Sequence, residues 1–74
     1  MSDPTPLRVL VTGAASGLGA ALSAAWQARG ADVLRTDRAA TDDVRRLDIT
    51  SDDDWAAARD HVEDTWGGLD VLVN

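Results

Sequence analysis

Cysteine and lysine are missing from the 74 residues, and proline occurs twice, both times within the first six positions. Without cysteine there is no disulfide framework and no thiolate metal site. Without lysine the phosphate loop of ATPases and related kinases, G-x4-G-K-[ST], cannot be written, so a kinase or ATPase reading is poor. No apolar run approaches the length of a membrane span, and nothing near the start has the basic-then-apolar pattern of a secretory signal. The expectation is a soluble, cytoplasmic protein. Thirteen acidic residues against seven basic ones give a net charge of −6. That charge repels the phosphates of nucleic acid and of anionic lipid, so neither is an expected partner. There is no internal repeat and no second domain. A chain this short buries only about 60% of its unfolded surface, so it reads as part of something larger.

What is present is organised around Val9-Leu-Val-Thr-Gly13-Ala-Ala-Ser-Gly17-Leu-Gly19. A β-branched apolar run stops at glycine and an alanine-rich helical pattern begins, which spells strand, turn, helix. Gly13 takes the positive φ that a sharp exit from a strand needs. At Gly17 and Gly19 the missing Cβ lets backbone approach a ligand or a neighbouring strand. The N–H groups of Ser16, Gly17 and Leu18 fall in the first helical turn, where unpaired donors and the positive end of the helix dipole favour a pyrophosphate. The spacing is G-x3-G-x-G. Glycines alone also collect in loops for conformational reasons, so the remaining sequence has to carry part of the argument.

Along the chain, Met1 to Pro6 reads as a flexible leader. Leu7 to Val11 is a first strand, its unalternating apolar run suited to burial on both faces of a parallel sheet. A helix is expected from Ser16 to Arg29, with Leu18, Leu22, Ala25 and Trp26 as its apolar stripe and Gly30 as its left-handed cap. Trp26 reads as core rather than as a stacking surface. Asp32 to Asp37 is a second strand. In a dinucleotide-binding unit an acid placed as Asp37 is accepts hydrogen bonds from the adenosine ribose and opposes a 2′-phosphate; the alternative is a solvated turn aspartate. Only six residues, Arg38 to Asp43, separate it from a third strand at Val44 to Asp48, whereas a parallel crossover normally takes a dozen or more. Six extended residues reach roughly 20 Å, so this connection is expected to be irregular, without a packed helix. Thr50 and Ser51 open a second helix with Ser51 and Asp54 in capping-box spacing, and Asp52, Asp53 and Asp54 suit its positive end. Consecutive helical residues diverge by about 100°, so these three acids do not converge on a metal ion. Trp55, Ala58, Val62 and Trp66 form its buried stripe, with Arg59, Asp60, Glu63 and Asp64 toward solvent. His61 reads as a surface residue. Gly67-Gly68 ends the helix, and Leu69 to Val73 is a fourth strand.

Thr12-Gly13-x3-Gly17-x-Gly19, Asp37 closing a second strand, Leu47-Asp48-Ile49 and Gly68-Leu-Asp-Val-Leu-Val-Asn74 occur in that order. Together they resemble the amino-terminal half of the short-chain dehydrogenase/reductase family, from about Leu7 to Asn74. The resemblance implies an α/β Rossmann-type three-layer fold, a partial doubly wound parallel sheet with strand order 3-2-1-4. It implies a partial NAD(P)-binding domain over residues 7–74, truncated after the fourth strand. It further implies that Gly13, Ser16, Gly17, Leu18 and Gly19 hold the pyrophosphate of the cofactor, Asp37 the adenosine ribose and Asp48 and Ile49 the adenine, with Asn74 bordering the cofactor. NAD is the implied cofactor ahead of NADP. The longer parent is implied to be a homo-oligomer acting on a small alcohol or carbonyl compound.

In that family a serine polarises the substrate oxygen, and a tyrosine with a nearby lysine moves the proton. This chain contains neither tyrosine nor lysine, and its serines precede the region that supplies the catalytic one, so no catalytic residue is assigned. The alternative reading is a non-catalytic dinucleotide-binding or interaction module, or an inert fragment. Positioned acid–base groups contribute about 10²–10⁴-fold to such reactions. The 74-residue chain by itself is therefore expected to transfer no hydride and to bind NAD weakly. Mixing it with NAD and a panel of secondary alcohols, following reduced-cofactor absorbance and binding heat, checks this; turnover above a buffer blank overturns it.

Overall fold

The computed structural model describes residues 6–74. The leader expected at Met1 to Pro6 lies outside the described residues except for Pro6, which is exposed. In chain order the elements are β1 (Arg8–Val11), α1 (Gly17–Ala28), β2 (Asp32–Asp37), β3 (Arg45–Arg46), α2 (Asp52–Trp66) and β4 (Val71–Val73). All strand pairs are parallel, in the order β3-β2-β1-β4. This is the expected partial Rossmann-type sheet, with β1 inside it.

The period of two along each strand divides the apolar side chains between the faces. Val9, Val11 and Ala14 are buried on one face together with Trp26, Ala31, Val33, Val71 and Val73. Leu10, Leu47, Ala58 and Val62 are buried on the other with Leu34, Trp55 and Trp66. Val9, Val11 and Leu47 are almost wholly inaccessible, and burial of such side chains stabilises by about 1.5–3 kcal/mol each. Helix α2 presents the expected stripe of Trp55, Ala58, Val62 and Trp66, and Arg59, Asp60, Glu63 and Asp64 are exposed as expected. His61 is half-buried beside Val33, Leu34 and Trp66 rather than lying fully on the surface.

Helix α1 departs from its expected stripe. Leu18 is 75% exposed, Ala25 is exposed and Ser23 is buried, while Leu22 is half-buried and Trp26 packs against the sheet as expected. The cause is Gly19. A Cβ on that residue would lie 2.0 Å from the Gly13 carbonyl oxygen, so α1 is pressed onto the preceding turn at this point. The helix face that follows toward the sheet is then Gly19, Ser23 and Trp26. The buried Ser23 hydroxyl donates to the Gly19 carbonyl oxygen at 2.8 Å, which satisfies it inside the protein. At the far end Gly30 adopts φ +85° and donates to Gln27 O, closing the helix as its position suggested.

The connection from β2 to β3 holds no helix, as its length requires. Thr41 and Val44 instead form an isolated antiparallel bridge, with Thr41 N–H donating to Val44 O at 2.9 Å. That reversal consumes Val44, so the third strand is Arg45–Arg46 and not Val44 to Asp48. Leu47 N–H still reaches Asp37 O at 2.7 Å, and the chain then turns away. The fourth strand is likewise shorter than Leu69 to Val73, running Val71–Val73, although Asp70 N–H still donates to Arg8 O of β1 at 2.9 Å just before it.

Arg8 and Asp70 tie the amino-terminal ends of β1 and β4 to the end of α2. Arg8 donates from Nε (3.1 Å) and its backbone N–H (2.8 Å) to Asp70 Oδ2, and from Nη2 to Oδ1 at 3.1 Å. Its Nη1 donates to the Trp66 carbonyl oxygen at 2.9 Å, at the negative end of the helix. These hydrogen bonds from Arg8 hold the Asp70 carboxyl below the ordinary carboxylate range. Hydrogen bonds from the Thr50 hydroxyl and N–H do the same for Asp48, assisted by Arg38 and Arg46. Both acids therefore bind fewer protons folded than unfolded just below their ordinary pKa. Their contribution is present above that value and is lost as pH falls toward the depressed folded values. We expect stability to fall as pH drops below the ordinary carboxylate pKa of about 4 and the fall to be shallower in Asp70→Asn, which also starts lower at neutral pH, as urea midpoints measured across the acid range will show.

Candidate functional site

Every residue that the resemblance assigns to the cofactor lies at, or just beyond, the carboxyl end of a strand. Gly13 to Gly19 follow β1, Asp37 ends β2, Asp48 and Ile49 follow β3, and Asn74 follows β4. Parallel strands put these ends on one edge of the sheet, where ligands of open α/β sheets bind.

The turn after β1 is shaped by three glycines acting differently. Gly13 and Gly17 adopt φ +64° and +59°, with open space where a Cβ would stand. Both are there for backbone conformation. Only Gly19 permits a close approach, and its neighbour is the Gly13 carbonyl of the same turn rather than a ligand or another strand. Ser16 is the extended N-cap of α1, but no side chain of the described residues caps the helix, and its first turn holds no acid. The N–H groups of Gly17, Leu18 and Gly19 have no acceptor within the helix by their position in it. Helix α2 differs: Ser51 Oγ accepts from Asp54 N–H at 3.2 Å, and three aspartates occupy the first turn. One helix start is neutralised by the protein, and the other is left available to an anion.

The end of β2 holds the turn. Ala14 N–H donates to Thr36 O at 2.9 Å, and Ala15 N–H to Asp37 Oδ2 at 3.0 Å. Asp37 Oδ1 accepts from Arg38 N–H at 2.7 Å. On the other side Thr12 N–H donates to Val73 O at 2.9 Å and its hydroxyl to Asn74 Oδ1 at 2.8 Å. The structure thus brings together the glycine turn, Asp37 and Asn74. Asp48 and Ile49 are on the same edge but make no hydrogen bond to the turn among the described residues. Asp48 Oδ1 accepts from Thr50 N–H (2.9 Å) and Oγ1 (2.7 Å), while Ile49, half-exposed, gives its carbonyl to Trp55 Nε1 at 2.9 Å. Asp48 Oδ2 has no hydrogen-bond partner among the described residues.

Several contributors were not identified from the sequence. Ala15 carries no distinguishing side chain, since its role is an amide. Asp54 sits in capping-box spacing, yet only half of the box forms: its Oδ2 accepts from Asp48 N–H at 2.8 Å instead of from Ser51. Aspartate is one methylene shorter than the glutamate or glutamine that completes the box. Arg8 and Asp70 are 62 residues apart, and no local pattern couples them. No cluster of histidine, cysteine or acids suited to a metal occurs among the described residues.

The sequence model of the short chain dehydrogenase family matches residues 7–74, and the chain belongs to that family. Fluoren-9-ol dehydrogenase of Terrabacter sp. is 39% identical over 80 residues, covering 89% of this chain and 22% of that protein. Cis-4-hydroxycyclohexanecarboxylate dehydrogenase of Sinomonas cyclohexanicum is 41% identical over 78 residues, covering 86% and 31%. Among solved structures, a short-chain dehydrogenase from Streptomyces avermitilis superposes with a TM-score of 0.79 at 30% identity, over 92% of this chain and 30% of that one. The aldohexose dehydrogenase of Thermoplasma acidophilum gives 0.80 at 29%, over 93% and 29%. The chain therefore spans less than a third of these relatives. Both aligned spans exceed the 74 residues available, so the curated relatives carry residues inside the matched region that this chain lacks.

The contact at residue 19 makes a prediction of sign. Glycine to alanine inside a helix ordinarily stabilises by about 1 kcal/mol. Gly19→Ala is expected to destabilise, by about 1–3 kcal/mol or more, because the new methyl meets a backbone carbonyl that cannot rotate away. Urea denaturation decides it, and a Gly19→Ala variant as stable as the original contradicts the contact.

Proposed function

We propose that this chain is the cofactor-binding half of an NAD(P)-dependent oxidoreductase that moves hydride between a nicotinamide and an alcohol or carbonyl carbon. The observation that carries the proposal is the uncapped start of α1 standing beside Asp37, joined to it through the 3.0 Å bond from Ala15 N–H. The donor set fits a dinucleotide. The N–H groups of Ser16, Gly17, Leu18 and Gly19 and the helix dipole suit the pyrophosphate. Asp37 suits the adenosine ribose, Asp48 and Ile49 the adenine, and Asn74, held by Thr12, the neighbouring part of the cofactor. When bound, the nicotinamide ring supplies or accepts the hydride. The residues of this chain bind and orient; none of them handles the substrate proton. The substrate in the longer protein is a small alcohol or carbonyl compound, a class to which the dehydrogenase names of its relatives also point.

NAD is the preferred cofactor in this reading. A carboxylate about 4 Å from one phosphate charge costs up to roughly 4 kcal/mol at an effective dielectric near 20. Arg38, next in sequence, opposes this, but Asp37 also has acceptor positions for the ribose diol, which NADP lacks. Dissociation constants of the full-length protein for the two cofactors test the assignment. Tighter NAD binding is expected, and equal or tighter NADP binding overturns it.

A further inference from the structure

We propose that Asp37 is also a positioning residue for the glycine-rich turn: through the Ala15 amide, its carboxylate holds the start of α1 in the arrangement that receives a pyrophosphate. The inference rests on the dinucleotide reading above and adds a second role to a residue whose first is to meet the ribose. Two successive amides of the turn, Ala14 and Ala15, are bound by two successive groups at the end of β2, the Thr36 carbonyl and the Asp37 carboxylate. The first of these is fixed, for Thr36 is buried and its hydroxyl donates to Val11 O at 2.9 Å. The second is a side chain, steadied by Arg38 N–H at 2.7 Å on its other oxygen. Only Ser16 lies between Ala15 and the first helical residue, and no described side chain caps that helix. The direction of the Gly17 to Gly19 amides therefore depends on the tie at Ala15 and on the contact between Gly19 and Gly13. Each carboxylate oxygen has two acceptor positions, so the tie leaves one on each oxygen for a ribose hydroxyl.

The two roles oppose each other in sign. As a charge, Asp37 repels a pyrophosphate, and its removal should tighten binding of any ligand that does not use the ribose contact. As a tether, its removal should weaken the same binding. An NAD analogue whose adenosine ribose lacks both hydroxyls separates them, because it keeps the pyrophosphate and cannot reach Asp37 through the diol. Asp37→Ala and Asp37→Asn are compared with the unsubstituted full-length protein in two measurements, amide hydrogen exchange at Ala15 and affinity for NAD and for the analogue. In Asp37→Ala we expect Ala15 to exchange about tenfold faster, the factor corresponding to the lower end of a charge-assisted hydrogen bond, while the Leu10 amide in β1 is unchanged. We also expect the analogue to bind several-fold more weakly. Asp37→Asn, which keeps one acceptor oxygen and loses the charge, should recover analogue binding relative to Asp37→Ala. Unchanged Ala15 exchange, unchanged or tighter analogue binding in Asp37→Ala, or no recovery in Asp37→Asn overturns the tether. If the unsubstituted protein binds neither NAD nor the analogue, the dinucleotide reading itself fails and the positioning role fails with it.

Discussion

Where α1 leaves the turn, the Gly13 carbonyl occupies the space that the first side-chain carbon of residue 19 would need. Much of the site follows from this one contact. It fixes how closely the helix start approaches the end of β1, and it sets which face of α1 turns inward. Ser23 and Trp26 then meet the sheet while Leu18 is left exposed. It also leaves the helix start at the open edge of the sheet. There Gly13 and Gly17 adopt positive φ, so the backbone turns with no Cβ at either position.

Around that contact the ends of three strands are tied in pairs. β2 holds the turn through Thr36 and Asp37, and β4 holds the exit of β1 through Val73 and Asn74. At the opposite edge Arg8 performs the same service for α2 and β4. The central strand thus has charged or polar fasteners at both ends and apolar side chains on both faces between them. Such a two-faced apolar strand belongs in a parallel sheet covered on each side. The cover remains partial at β4, where Leu72 is half-exposed and Leu69 stands beside it. β4 is one of the two edge strands, and such an edge offers unpaired backbone groups.

The short connection between β2 and β3 shapes the flank of the sheet edge that carries Asp48. Arg38 and Arg46 both bear electrostatically on Asp48, while Arg46 also lies 3.6 Å from Asp54. Because the chain reverses at Thr41 and Val44 without a crossover helix, this flank is built from a bend and a two-residue strand. An exposed ion pair of this kind contributes little to stability. Its effect is on the local charge beside Asp48.

Local chemistry alone determined a good deal. Gly30 as a cap, the aspartates and Ser51 at the start of α2, the apolar stripe of α2 and the lack of room for a helix after Asp37 are all short-range matters of φ, dipole and reach. They were legible in the residues, as was the series of motifs that fixes the strand order by family. Features created by contact between distant segments were not. The inward face of α1 is legible at Trp26 but not at Leu18 or Ser23, because a stripe of leucine and alanine says nothing about a carbonyl six residues upstream that forbids a Cβ. The third strand is shorter than its residues suggest because the reversal at Thr41 and Val44 is a backbone bridge that has no side-chain signature. The tie between Ala15 and Asp37 and the clamp between Arg8 and Asp70 needed the sheet to bring them together. Sequence specifies which groups are available; only the packed sheet decides which of them lie within hydrogen-bond reach, because that depends on how closely two backbones approach.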